Sequence, residues 1–573
     1  MAPDPVRDAF ASVGGHNTAT PVSAYLLTLV ALIIAFVFAY SRLQKDKREV
    51  EVDFPPWVPL EVGISSALIQ AGGTASWLLF VFSLHINPGN FPTDNSIHSS
   101  LIWPRKGSLF GLTSRHQILH NLDNIDRVFT KSPHILSADV LGLRLGIRVF
   151  GARLTKEISE EFLVLNRKLT QIIERYFVND ASATASIQSA DIPGKVARLL
   201  SFSSDAQKQH QWERSAAIKV LSTDSEGHPG TVEADLESLM RDFGACVSIP
   251  RLYGQDFLDR NPRLLEDFWK FDNNAFSLLV IGVPTWAPIK SFREALAART
   301  RLHDALEGFY TRLDQYKRGQ KVDFEADMRD VSVAAMERNK ILEEHGVPIR
   351  ARAELELGTF WGLNANMQPM VFWLLLYVYS TPGLVDELRK EVRPCMTVSA
   401  ADFPPQITSF DFSRLSHECP LLKSSLFETF RLVEDPTSLR YVSKPMTVSD
   451  GNLEHHFKPG TWLSAPHALL QTDPSIFPEP EKFIPDRFIE TDKETGHRVA
   501  RYGKLKPWGS GSAVCKGRTF AEKEVMGIVA CFITLWDMEN AEGPWKLPGM
   551  IPGTGVKRPH KPIRVVLKRR SLE

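Results

Sequence analysis

The sequence predicts a mainly α-helical protein preceded by one N-terminal transmembrane helix. Three observations carry that prediction: several long stretches with apolar residues at helical spacing, an uncharged apolar run at 23–40, and a glycine-rich loop holding one cysteine directly before a further apolar helical pattern. At 573 residues with 43% hydrophobic content, the chain can bury a large core. Lys plus Arg and Asp plus Glu both number 67, so no overall field marks the chain for nucleic acid. Five cysteines (Cys246, Cys395, Cys419, Cys515, Cys531) are scattered without CxxC or zinc spacing, which fits a reducing compartment and makes four of them ordinary core residues.

The first element is the run from Ser23 to Tyr40, long enough to span a bilayer core. Arg42, Lys45, Lys47 and Arg48 follow it, whereas Asp4, Arg7 and Asp8 precede it with little net charge, so the positive-inside rule puts the C-terminal bulk in the cytosol. A cleaved signal peptide, the rival reading, would carry its basic residues before the apolar run. Residues 1–50 are thus an anchor with a basic stop-transfer segment. Phe54-Pro55-Pro56-Trp57-Val58-Pro59 is a stiff hinge that cannot be helical. From Leu60 to Trp103 the pattern is broken by Gly72-Gly73 and a turn-rich stretch; a membrane-facing insertion, a second interfacial contact and an unreliable piece of gene model all fit it.

Helical spacing returns over Ser114 to Thr130 and Lys156 to Tyr176. Asp180 to Ala190 and Leu221 to Gly230 read as loops, and Pro284-Thr285-Trp286-Ala287-Pro288 as a break. Ser291 to Tyr316 is a charged, solvated helix, and Glu354 to Ser380 a long apolar one. On that second helix Phe360, Leu363, Asn364 and Met367 share one face by spacing, as a substrate wall or a core stripe would.

The cysteine loop reads Trp508-Gly509-Ser510-Gly511-Ser512-Ala513-Val514-Cys515-Lys516-Gly517 and precedes the pattern Phe520 to Trp536. A cysteine at a helix start meets the positive dipole end and free N–H groups, both of which favour the thiolate. Gly509, Gly511 and Gly517 permit angles and close approach that side chains forbid, so a flat macrocycle could lie against the loop beside Trp508. A buried cysteine in a turn is the plainer alternative.

Trp508, Gly511, Cys515, Gly517 and Ala521 resemble the haem loop of the cytochrome P450 family, aromatic-x-x-Gly-x-x-x-Cys-x-Gly-x-x-x-Ala. Glu428-Thr429-Phe430-Arg431 resembles its Glu-x-x-Arg motif, and Phe483-Ile484-Pro485-Asp486-Arg487-Phe488 its Pro-x-Arg-Phe meander. The resemblance implies one catalytic domain over residues 51–573, mainly α with small β-sheets. It implies haem b ligated by Cys515, with Trp508, Gly511 and Gly517 around it and Arg440 pairing a propionate. Glu428, Arg431 and Arg487 would form a structural ion-pair network behind the haem. The arrangement resembles the microsomal class: single-pass in the endoplasmic reticulum membrane, taking electrons from NADPH through cytochrome P450 reductase, with cytochrome b5 as a further candidate donor. Lys504, Lys506, Lys516, Arg518 and Lys523 cluster around the loop, either as a positive docking face for an acidic flavin domain or as a solvated surface.

The family's distal helix carries an acid and a threonine that relay protons. Here Trp361-Gly362-Leu363-Asn364-Ala365-Asn366-Met367-Gln368-Pro369 puts Ala365 and Asn366 in those places, or Asn364 and Ala365 in a register one residue earlier. Asn366, Pro369 and Phe372-Trp373, with Ala513 and Gly517-Arg518 in the loop, resemble the branch of sterol 7α-hydroxylases and prostacyclin synthase. Asn366 is the candidate catalytic residue: its amide can hold a water or orient a substrate oxygen, but cannot act as an acid near neutral pH. Alternatively it satisfies backbone freed by Pro369.

The resemblance implies a membrane-anchored monooxygenase acting on an apolar small molecule: terpenoid, sterol-like, oxylipin or another secondary-metabolite intermediate, as in many fungal members. An electron-independent isomerase or dehydratase of a peroxide substrate is the rival expectation. A non-enzymatic haem sensor or scaffold is a third, which nothing in the sequence recommends.

Overall fold

The computed structural model describes residues 116–119, 125–222, 230–280, 282–399, 404–450 and 453–571. The expected anchor at 23–40, the hinge at 54–59 and the stretch 60–103 lie outside these residues. Among the described residues no helix is long and apolar enough to cross a membrane.

Helices supply the bulk. We number those used below α1 (Lys156–Ile173), α2 (Asp180–Gln188), α3 (Leu236–Tyr253), α4 (Lys290–Lys317), α5 (Ile349–Asn364), α6 (Met367–Ser380), α7 (Pro420–Val433) and α8 (Arg518–Leu535). The strands are β1 (His116–Ile118), β2 (Leu136–Ser137), β3 (Lys219–Ser222), β4 (Thr231–Asp235), β5 (Thr437–Val442), β6 (Trp462–Pro466), β7 (Trp536–Asn540) and β8 (Arg564–Arg569). They form two four-stranded sheets, ordered β1-β6-β5-β2 and β7-β8-β4-β3. Only the β1–β6 pair in these sheets is parallel.

Helix α6 is buried on all sides from Met367 to Val378, as a helix apolar all round must be, and it packs against α3, α7 and α8. Two junctions build the site: α7 runs through residues 434–436 into β5, and the cysteine loop leads directly into α8.

Four sequence expectations change. Ser114 to Thr130 is not one helix: residues 116–118 pair with Trp462–Ser464, and among its described residues only Ile125–Phe129 is helical, so tertiary pairing outweighs local periodicity. Asp180 to Ala190 is not a loop but α2, because Asn179 caps it by accepting from the Ser182 N–H at 3.0 Å while Ala183 and Ile187 are buried. Leu221 and Ser222, read as the start of a loop, close strand β3. The long helix from Glu354 to Ser380 is two helices, α5 and α6, broken at Ala365–Asn366. Pro369 gives no N–H to the carbonyl four residues back and its ring crowds it, which places the break where it falls.

Candidate active site

The cysteine loop is shaped by its glycines. Gly509 and Gly511 adopt φ of +77° and +73°, and a Cβ on Gly511 would lie 2.1 Å from the carbonyl oxygen of Phe129. Gly517 has an ordinary φ of −75°, so its smallness serves space and not conformation; a Cβ there would come no nearer to protein than 3.8 Å, from Cys515 Sγ. The Cys515 N–H donates to the Trp508 carbonyl at 3.0 Å and closes the loop. Ser510 N–H donates to Ser438 Oγ at 2.9 Å, which ties the loop to β5.

Of the five cysteines only Cys515 is exposed, and it lines a cavity of about 470 Å³. The loop and α8 supply part of the lining, through Trp508, Gly517 and Phe520. Thr359, Leu363, Asn366 and Met367 from α5, α6 and the break between them supply another part, and the segment after α7 adds Glu434 and Arg440. The backbone N–H groups of Gly517 and Arg518 face Cys515 Sγ and pull its thiol down, but burial outweighs them and pushes it up. The two N–H groups act in the direction the sequence suggested, and a bound cation would offset the cost of burying the thiolate.

The residues fit a haem. The donor set is a single thiol, and among the described residues no cluster of His, Cys, Asp and Glu could hold a metal by itself. Arg440 is buried at the cavity wall, where Nη2 donates to Ser510 O at 2.8 Å and Nη1 to Leu439 O at 2.9 Å, while Nε has no partner. Phe129 lies 5.2 Å from its guanidinium carbon. Burial pushes Arg440 down to about 10, with Asp139 as the only opposing charge, so this cation lacks an adjacent anion of its own. A propionate would provide one. Trp508 is held on edge against Phe430 at 5.0 Å, with Nε1 donating to Tyr502 OH at 2.8 Å, and that hydroxyl donates to Glu522 at 2.7 Å.

Behind the loop, Glu428 and Arg431 are wholly buried. Arg431 donates to both Glu428 oxygens at 2.8 Å and to the carbonyls of Gln471, Pro480 and Lys482. Arg487 Nε donates to both Glu428 oxygens at 3.0 Å, and the Ile484 N–H adds a further donor at 3.1 Å. One carboxylate thus pins α7 to the meander.

Among the residues that sequence spacing grouped as a substrate wall, Leu363 and Met367 line the cavity. Phe360 and Asn364 do not: Phe360 packs edge-on against Phe268 at 5.3 Å, and Asn364 is buried with its amide donating to Phe360 O at 2.9 Å. The cavity stripe runs one residue off, through Thr359, Gly362, Leu363 and Asn366. Gly511 does not line the cavity either; it packs on Phe129. The basic cluster is thinner than its sequence suggested. Lys523 is buried against Asp180 at 3.3 Å and Lys516 pairs with Glu174 at 2.7 Å, leaving Lys504 and Arg518 exposed and Lys506 half-buried. Glu434 was missed altogether, and only its place just after the Glu-x-x-Arg motif pointed to it.

A family model described as "Cytochrome P450" matches residues 260–567. The chain is similar to the cytochrome P450 monooxygenase poxD of Penicillium oxalicum, 29% identical over 58% of this chain and 64% of that one. It is also similar to the human 7-alpha-hydroxycholest-4-en-3-one 12-alpha-hydroxylase, 31% identical over 39% of this chain and 46% of that one. The chain spans less than two thirds of the length of these curated relatives. A solved structure, retinoic acid bound cyanobacterial CYP120A1, shares the fold with a TM-score of 0.53 at 17% identity, over 79% of this chain and 89% of that one.

Proposed function

This chain belongs to the cytochrome P450 family, and from that membership we propose that it is a membrane-anchored haem-thiolate monooxygenase inserting one oxygen atom of O₂ into an apolar small molecule. The observation that carries the reading is Cys515, the one exposed thiol, set in the cavity wall beneath two backbone N–H groups. Haem b, when bound, supplies the activation of dioxygen. Cys515 Sγ would hold its iron and Arg440 would hold a propionate, while the N–H groups of Gly517 and Arg518 would temper the sulfur's donation.

The chain's remaining task is to orient the substrate and keep the cavity dry. Leu363, Met367, Met370 and Phe520 give the cavity an apolar lining that suits a sterol-like, terpenoid or other secondary-metabolite scaffold. The human relative's name, a 7-alpha-hydroxycholest-4-en-3-one 12-alpha-hydroxylase, supports the sterol-like member of that class. Asn366 can orient a proton-carrying water but cannot supply the proton itself. Electrons would come from NADPH through cytochrome P450 reductase, docking near Lys504 and Arg518, with cytochrome b5 as an alternative donor. The apolar run at 23–40 would anchor the chain in the endoplasmic reticulum with the catalytic domain cytosolic.

The absence of an acid at Ala365 keeps one rival in view, a peroxide isomerase that needs no reductase. Membranes carrying the chain are expected to give the strongly red-shifted carbon monoxide difference band of a thiolate–haem. Incorporation of ¹⁸O from ¹⁸O₂ in an NADPH-dependent product then supports the monooxygenase; turnover without NADPH and without label supports the isomerase. Folded protein supplied with haem and lacking the band would sink both.

A further inference from the structure

Two polar atoms beside the cavity have no protein partner, and they belong to the same corner. Glu434, the residue directly after α7, is 8% exposed, and its Oε2 makes no hydrogen bond. Asn366, in the break between α5 and α6, likewise has an unbonded and buried Oδ1. Both residues line the cavity. The segment Gly555–Val556 joins them: Glu434 bridges to Val556, the Asp435 N–H donates to Gly555 O at 3.1 Å, and Asn366 Oδ1 lies 2.4 Å from where a Cβ on Gly555 would stand.

An unpaired buried polar atom is costly, so two in one corner are most simply completed by a ligand. Neither atom belongs to the residues assigned above to haem, although the Glu434 charge reaches Cys515. Neighbouring cations do not satisfy the carboxyl, since Lys557 is committed to Asp435 at 3.2 Å. Burial, with Asp435 alongside, holds the Glu434 carboxyl well above the usual carboxylate range, and in its protonated form such a group can donate as well as accept.

We propose that Glu434 and Asn366 form a recognition corner for a single oxygen function, ketone or hydroxyl, on an otherwise apolar and uncharged substrate. The inference rests on the monooxygenase reading and narrows its substrate class. A ketone accepts from the Glu434 carboxyl. A hydroxyl accepts from Glu434 and donates to Asn366 Oδ1. A carboxylate finds no cation at this corner and is rejected. The Glu434 side chain is a specificity residue here and takes no part in bond-making.

The test uses the purified holoprotein and four rigid probes: adamantane, 2-adamantanone, 2-adamantanol and adamantane-1-carboxylate. Dissociation constants come from equilibrium dialysis and from the shift of the haem absorbance. The ketone and the alcohol are expected to bind about fivefold more tightly than the hydrocarbon, the margin of one net hydrogen bond of about 1 kcal/mol. Glu434→Leu removes that margin for both; Glu434→Gln, near-isosteric and still a donor, keeps it. Asn366→Leu weakens the alcohol and leaves the ketone unchanged. An unaltered margin in Glu434→Leu, a carboxylate that binds most tightly, or a holoprotein that binds no probe overturns the proposal. The carbon monoxide band recorded on the same samples separates the two levels. A sample with the band but without the margin ends this inference alone, whereas wild-type protein without the band ends the haem-thiolate reading as well.

Discussion

At the scale of single residues, the site is a set of polar groups whose partners are either fully specified or conspicuously incomplete. Arg431 is the extreme of the first kind, with two carboxylate bonds and three carbonyl bonds on one buried guanidinium. Arg431→Ala leaves Glu428 buried beside Arg487 alone and frees three carbonyls, so it is expected to destabilise the fold by about 3–5 kcal/mol. Arg431→Lys rescues little of this because a single ammonium cannot reproduce the fork. Chemical denaturation of the three proteins checks both statements. Residues of this kind were legible in the sequence because their spacing is dictated by the chemistry they perform, as with Cys515 and its glycines. Phe360 and Asn364 were misplaced for the opposite reason: two adjacent stripes on a helix buried on nearly every side have the same periodicity, and only tertiary packing decides which one faces the cavity. Glu434 left only its place after the Glu-x-x-Arg motif as a sign, since a lone acid after a helix is usually a surface residue.

Among elements, the most consequential is the interruption between α5 and α6. The sequence showed the apolar segment and its proline, but the helical period runs through both helices and hid the gap at 365–366. The break turns Asn366 to the cavity while Asn364 stays in the core. Pro369→Ala returns a donor for the carbonyl of Ala365 and removes the ring that crowds it. The expected result is continuous helix through 365–366, with amide hydrogen exchange there slowed about fivefold by an added bond worth about 1 kcal/mol. Exchange measured by mass spectrometry on peptides spanning that segment reports it, and unchanged exchange would assign the break to packing alone. Helix α2 gives the complementary lesson. Its Asp, Ala, Ser and Thr residues have loop-like composition, yet a cap and two buried apolar side chains suffice once α8 packs beside it.

The molecule as a whole carries a buried acid where three helices meet. Glu524 of α8 accepts from Ser248 of α3 at 2.8 Å, and Gln368 of α6 donates to the same hydroxyl at 2.9 Å. Burial pushes the Glu524 carboxyl up from 4.5 to about 8. Between those values the folded state holds a proton that the unfolded chain has released. The stability associated with the neutral acid is therefore complete below the unfolded value and is lost as pH rises through the folded one. The thermal unfolding temperature should fall as pH rises toward 8, and Glu524→Gln, which cannot ionise, should flatten that decline; an identical slope in the variant would show that other groups set it. The fold class, small sheets included, was legible through the motif order and the resemblance it carries, whereas the individual strands and their pairing were not, because most of the strands find partners far away in sequence. Strand β8 is the clearest instance, seated between β7 and β4. That placement has a consequence for how the protein is made. On a ribosome, β4 emerges with one edge open, and β8 cannot fill it until residues 236–563 have been translated. The newborn chain must carry an unpaired strand edge through the synthesis of nearly all of its helical core, the interval in which protection from edge-to-edge association matters most.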